Sequence, residues 1–89
     1  MRIKEQIIEE LDENNEITFA DGFDDALIGA SYIDSQPRAV YSFMLGLEVL
    51  MEKHNMSEEE AIDYLHFNTM LKGEKYPIWV MDYYINSKI

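Results

Sequence analysis

Apolar residues recur at helical spacing at the start of the chain, gather into short β-prone runs near the middle, and return to helical spacing before a last β-rich stretch. Ile3, Ile7, Ile8 and Leu11 fall at i, i+4, i+5 and i+8 and share one helical face, while Glu5, Glu9, Glu10, Asp12 and Glu13 cover the rest. The spacing predicts an amphipathic helix that Asn14-Asn15 ends. Glu5/Glu9 and Glu9/Glu13 are like charges one turn apart, each unfavourable by about 0.2–0.5 kcal/mol. Burial of the isoleucine stripe therefore has to hold this helix.

The runs 26–33 and 38–42 read as strands, and Asp34-Ser-Gln-Pro37 between them predicts the turn of an antiparallel hairpin. Gly29 inside the first run suggests a bulge or a close backbone approach. Ser42 is placed to cap a helix reaching about His54, with Phe43, Met44, Leu47, Leu50 and Met51 on one face. Leu45 and Val49 form an i, i+4 pair on the opposite side, beside Glu48 and Glu52, a second apolar stripe that a single core face would not absorb. Asn55 suits the left-handed position that stops the helix.

Ser57-Glu-Glu-Glu60 has the form of a capping box, Ser57 accepting from the amide of Glu60 and the Glu60 side chain reaching back. On the helix it opens, Ala61, Ile62, Leu65 and Thr69 occupy one side and Tyr64, Phe67 and Leu71 the adjoining one. Asn68 falls near the middle of that arc. A buried, unsatisfied amide costs about 1–3 kcal/mol, so Asn68 is expected to bond backbone of the 19–26 loop or of a strand end, with ligand binding as the alternative. Gly73-Glu-Lys-Tyr-Pro77 is a turn, and the run 78–85 a third strand with Pro77 at its entry, where a missing amide is tolerated. The order α-β-β-α-α-β, without repeat or linker, predicts a single domain over 1–89 of the α+β class: a small three-stranded antiparallel sheet packed by two to three helices.

Composition adds ample core material, 47% hydrophobic residues with one Trp, six Tyr and four Phe, and removes disulfides and thiolate metal sites, since Cys is absent. No run approaches the roughly 20 apolar residues that span a bilayer, and the amino terminus is acidic and amphipathic rather than basic then hydrophobic, so a cytoplasmic location is expected. The formal charge is −11. Nine acids against Arg2 and Lys4 put −7 of it within residues 1–25. That field repels nucleic acid and anionic membrane and favours basic protein surfaces.

Little in the sequence carries catalytic chemistry. Asp21, Asp24 and Asp25 surround Gly22 as hard-cation sites do, but lack the alternating acids and closing Glu of a calcium loop, so cap, turn and rim duty is the expectation. His54 and His66 are the only histidines, and no serine elbow or phosphate-cradling glycine loop accompanies them. Tyr76, Trp79, Tyr83 and Tyr84 could stack bases, but such platforms sit in positive grooves. Core packing for some and a protein interface for others fits the charge better. No enzyme activity, cofactor or metal is expected.

The stretches Phe-Ala-Asp-Gly-Phe-Asp-Asp-Ala-Leu-Ile-Gly (19–29), Pro37-Arg-Ala-Val-Tyr41, the segment 50–61, Phe67-Asn68 and Tyr76-Pro-Ile78 resemble a family of small uncharacterised proteins from bacteriophages and bacterial mobile elements. The resemblance covers most of residues 17–80. Family members usually read Tyr-Asp at Tyr41-Ser42 and Asp-Gly-Met at His54-Asn55-Met56, and both exchanges keep the capping logic. The resemblance implies a phage or prophage source and the host cytoplasm, and lends no catalytic residues.

Together these readings point to a small phage-type accessory protein that binds a basic protein surface stoichiometrically and inhibits a host or defence factor. DNA mimicry is a variant. Glu9, Glu10, Asp12, Glu13, Asp21, Asp24, Asp25, Leu45, Val49, Tyr83 and Tyr84 are the candidate contact residues, with Asn68, Ser57 and Glu60 as structural polar groups. The alternatives are a metal-binding protein or enzyme built on Asp21/Asp24/Asp25, and a structural homo-oligomer, a homodimer above all, seamed by Leu45/Val49 and the carboxy-terminal aromatics.

Overall fold

A computed structural model describes residues 3–12, 17–33, 35–69 and 76–82, the side chains of Asn68 and Thr69 excepted. Among these residues, helix α1 (Ile3–Leu11) is followed by a 3₁₀ turn (Asp24–Ala26). Strands β1 (Leu27–Ile33) and β2 (Gln36–Ser42), helices α2 (Phe43–Lys53) and α3 (Glu58–Thr69) and strand β3 (Ile78–Val80) follow in that order. The class is α+β, and the predicted order of elements is the one observed.

One feature of the sheet differs from expectation. Its strand order is β1-β2-β3, with β1 and β2 antiparallel but β3 running parallel to β2, Val40, Tyr41 and Ser42 facing Ile78, Trp79 and Val80. A short turn forces antiparallel pairing, whereas the long excursion through α2 and α3 is a crossover that returns the chain to the same end of the sheet. The hairpin is also tighter than the sequence suggests. Ile33 pairs with Gln36 across Asp34-Ser35, and Ser35 takes a positive φ of 67°. Pro37 thus lies inside β2, opposite Tyr32, and is tolerated because β3 flanks β2 only over Val40–Ser42. The register shifts between Leu27 and Gly29, the bulge that Gly29 suggested.

Helix α2 is central. Phe43, Leu47 and Leu50 pack with Ala61 and Leu65 of α3 in one cluster, while Leu45 leans on a second cluster formed by Ile7, Ile17, Ala26, Leu27, Ala39 and Tyr41. Val49 is buried. Leu45 and Val49 are therefore not a spare stripe: Val49 is buried and Leu45 half-buried against the second cluster, so a helix held between two clusters covers much of the candidate homodimer seam at these residues. Gly46 sits on the same helix where a Cβ would come within 2.9 Å of both the Leu65 and Trp79 side chains. Its lack of a side chain lets α2, α3 and β3 close on one another.

Two predicted apolar faces are less buried than expected. On α1 only Ile7 is buried, with Ile3 and Ile8 exposed. On α3 the side carrying Ala61 and Leu65 is core, while Tyr64 and Phe67 face solvent, Phe67 with 73% of its surface accessible. A short helix on a small core buries one narrow stripe, and residues flanking it stay at the rim.

Helix ends follow the predicted chemistry. Ser57 N–H donates to Glu60 Oε1 at 2.9 Å and Glu60 N–H donates to Ser57 Oγ at 3.1 Å, the reciprocal capping box. Asn55 has a φ of 56°, and the amides of His54 and Met56 both return to the Leu50 carbonyl. The α2 amino terminus holds more than its expected cap. Leu45 N–H donates to Ser42 Oγ at 3.1 Å, and Asp82 arrives just past β3 to accept from Ser42 Oγ at 2.6 Å and from Met44 N–H at 2.8 Å. Asp82 thus ends the third strand near Val80, short of the predicted Ile85, whose position lies outside the described residues.

Candidate functional site

The loop 17–23 is built around a turn. Phe23 N–H donates to the Ala20 carbonyl at 3.2 Å, and Gly22 between them takes a φ of 86°, a position suited to glycine in a tight turn. The loop is tied to the sheet by Tyr41, whose hydroxyl accepts from Ala20 N–H at 2.8 Å. Tyr41 is fully buried and stacks on Trp79, ring centroids 4.9 Å apart at 23°, while Phe23 meets Trp79 edge-on at 5.4 Å and 88°. Such pairs contribute about 0.5–1.5 kcal/mol beyond their buried area. Trp79 also touches both core clusters.

Between this loop, α3 and the lead into β3 opens a cleft of about 260 Å³, walled by Phe19, Asp21, Phe23, Tyr64, Tyr76 and Trp79. Aromatic residues form most of its lining, and Asp21 is the one Asp or Glu among the lining residues. On the far side of Tyr64 a shallower groove runs over the α2–α3 turn, lined by His54, Met56, Glu60, Asp63 and Phe67. Tyr64 belongs to both depressions.

The three aspartates of the loop do not converge. Asp24 Oδ1 lies 3.4 Å from Lys4 Nζ and Asp25 Oδ2 lies 2.8 Å from Lys53 Nζ, and both pairs are largely solvated, so each contributes little to stability. The hydrogen-bonded Asp25 carboxylate nonetheless holds the Lys53 ammonium above its ordinary range. Lys4 Nζ also stands 5.1 Å from the Phe19 ring centroid, a cation over an aromatic face. Among the described residues no three His, Asp or Glu side chains are grouped to hold a metal ion, and no helix is long and apolar enough to cross a membrane.

The other predicted contact residues are dispersed. Glu9 and Glu10 are exposed on α1, whereas Asp12 is half-buried and accepts from Ile17 N–H at 3.2 Å, closing the chain after α1. Glu13, Tyr83 and Tyr84 lie outside the described residues, as does the Asn68 side chain that was expected to anchor the 19–26 loop. Tyr41 is an anchor the sequence did not single out. A β-branched or aromatic residue in a strand reads as core, and only its partner twenty-one positions earlier in the chain reveals the hydroxyl's role.

Burial pushes the Tyr41 phenol above its ordinary value of 10.0; the Ala20 amide opposes this and the carboxylates of Asp24 and Asp21 add to it. Below about pH 10 the folded and unfolded chains both keep this proton and its contribution is complete. At higher pH the unfolded chain loses the proton first, so stability falls. Urea unfolding between about pH 8 and about pH 11 is expected to show this decline, and Tyr41→Phe to be about 1 kcal/mol less stable at the lower pH yet flatter above pH 10. An equally steep decline in the variant would exclude Tyr41 as its source.

The chain matches no family model, no curated protein and no solved structure.

Proposed function

We propose that the protein is a small acidic accessory protein of bacteriophage type that works in the host cytoplasm. On this reading it binds one protein partner stoichiometrically and thereby inhibits a host or defence factor. The observation that carries this reading is the aromatic cleft with Asp21 in its wall, with the α3 carboxylates of Glu60 and Asp63 in the adjoining groove. Tyr and Trp at a solvated, concave surface are characteristic of protein interfaces, and a net charge of −11 selects basic surfaces and speeds their encounter. The resemblance of residues 17–80 to small phage proteins supplies the biological setting. With Val49 buried and Leu45 half-buried, the proposed interface lies on the face that carries the cleft.

The test is capture from bacterial host lysate on the immobilised protein at low and at physiological salt, beside Glu9→Lys/Glu10→Lys and Tyr76→Ala variants. One partner at defined stoichiometry, retained less well as salt rises and lost from the variants, is the expected result. A column that retains nothing at either salt overturns the reading.

A further inference from the structure

We propose that the Phe19–Trp79 cleft is a receptor for an arginine side chain presented by a basic segment of the partner protein, gripped between aromatic faces and the Asp21 carboxylate. The inference rests on the protein-binding reading above and specifies what that surface recognises.

Size sets the first bound. At about 260 Å³ the cleft lies at the lower edge of the roughly 300–1,000 Å³ of small-molecule sites, a size that suits one long side chain. Chemistry sets the second. An apolar occupant would strip water from Asp21 without compensating it, an unfavourable exchange for a carboxylate. A cation satisfies that carboxylate and the ring faces at once. The molecule already uses this combination next door: Lys4 Nζ lies 3.4 Å from Asp24 and 5.1 Å from the Phe19 centroid, and Phe19 is itself a wall of the cleft. Of the two common cations, the planar guanidinium stacks on rings and forks onto a carboxylate, and it sheds water more readily than an ammonium. Nucleobases would find the same rings, but in a field of the wrong sign.

The surroundings favour a peptide over a free small cation. Tyr64 and Tyr76 are 44% and 43% exposed, so the cleft's walls continue onto the outer surface. Across Tyr64 lies the groove carrying Glu60, Asp63 and Phe67, and a chain leaving the cleft in that direction meets two more carboxylates and an exposed ring. A segment with arginine in the cleft and further basic residues beyond fits both depressions.

Trp79 is the sole tryptophan and lines the cleft, so its fluorescence reports occupancy directly. The probes are two terminally blocked peptides, Lys-Ser-Arg-Ser-Lys and Lys-Ser-Gln-Ser-Lys, titrated against the full chain and against Asp21→Asn, an exposed position whose variant should fold as the parent does. The arginine peptide is expected to shift Trp79 emission saturably, and the glutamine peptide to bind at least about tenfold more weakly. Asp21→Asn should shrink that ratio to about twofold or less. Tyr76→Leu provides a second variant, expected to weaken the arginine peptide while leaving the glutamine peptide unchanged. Equal binding of the two peptides by the parent chain, or an unchanged ratio in Asp21→Asn, overturns the proposal. Partner capture that survives Asp21→Asn but not the α1 charge reversals would overturn the arginine cleft and leave the protein-binding function standing. Arginine selectivity with no captured partner would do the reverse.

Discussion

Replacing Asp82 by Ala is expected to destabilise the protein by about 2–4 kcal/mol. Its two carboxylate oxygens accept from Ser42 Oγ at 2.6 Å and from Met44 N–H at 2.8 Å, at the positive end of α2. Ser42 is only 2% exposed, so water cannot readily take over the lost bond. Hydrogen bonds to a charged group contribute about 1.5–3 kcal/mol, and the charge–dipole attraction adds up to about 2 in a partly buried setting, with overlap between the two. A chain of 89 residues has a total stability of about 4–13 kcal/mol, so the loss is a large fraction of the whole. Asp82→Asn keeps one acceptor and should fall between the parent and the alanine variant. Urea denaturation measures the three, and a difference below about 0.5 kcal/mol for Asp82→Ala would show that the cap does not hold α2 to the sheet.

The second large effect is expected at Trp79. Truncation to Ala removes the stack on Tyr41, the edge contact with Phe23 and the ring that fills the space above Gly46, at a cost of about 3–4 kcal/mol. Because Trp79 touches both core clusters, its loss should also loosen their coupling. Thermal unfolding followed by far-ultraviolet circular dichroism is expected to broaden as well as to shift downward. Trp79→Phe, which keeps a ring but not its reach, should recover about half of the loss. A sharp transition at nearly the parent temperature for Trp79→Ala would mean that the clusters hold together without it.

The contrast between these two residues and the capping box shows which parts of the structure were legible in the sequence. Ser57 and Glu60, Asn55, Gly29 and the order of elements follow from local rules, in which a residue's role is set by neighbours within a turn of helix or a hairpin. The roles of Asp82, Tyr41 and Trp79 depend on partners between about twenty and about sixty positions away, and periodicity carries no such information. Read locally, Asp82 interrupts a β-rich run and Leu45 and Val49 look superfluous. Both readings change once β3 lies parallel to β2, because that pairing brings Asp82 to the end of the strand from which α2 springs and sets α2 between two clusters. The candidate site was half legible: Asp21, Tyr76 and Trp79 stood out as unassigned chemistry, and their meeting in one cleft with Phe19 and Tyr64 is a product of the crossover.

That crossover also orders events in time. The β1–β2 hairpin and the α2–α3 pair each form from contacts close in sequence, whereas β3 has to find β2 after closing the whole excursion between Ser42 and Ile78. The last strand is then expected to dock late in folding and to open early in native-state fluctuations. In hydrogen exchange the amide of Met44, whose acceptor is delivered by that strand, should exchange faster than the amides of Leu47 and Leu50 on the same helix. The cleft is assembled by the same late step, so its lifetime is the lifetime of three short strand residues held against the centre of the sheet.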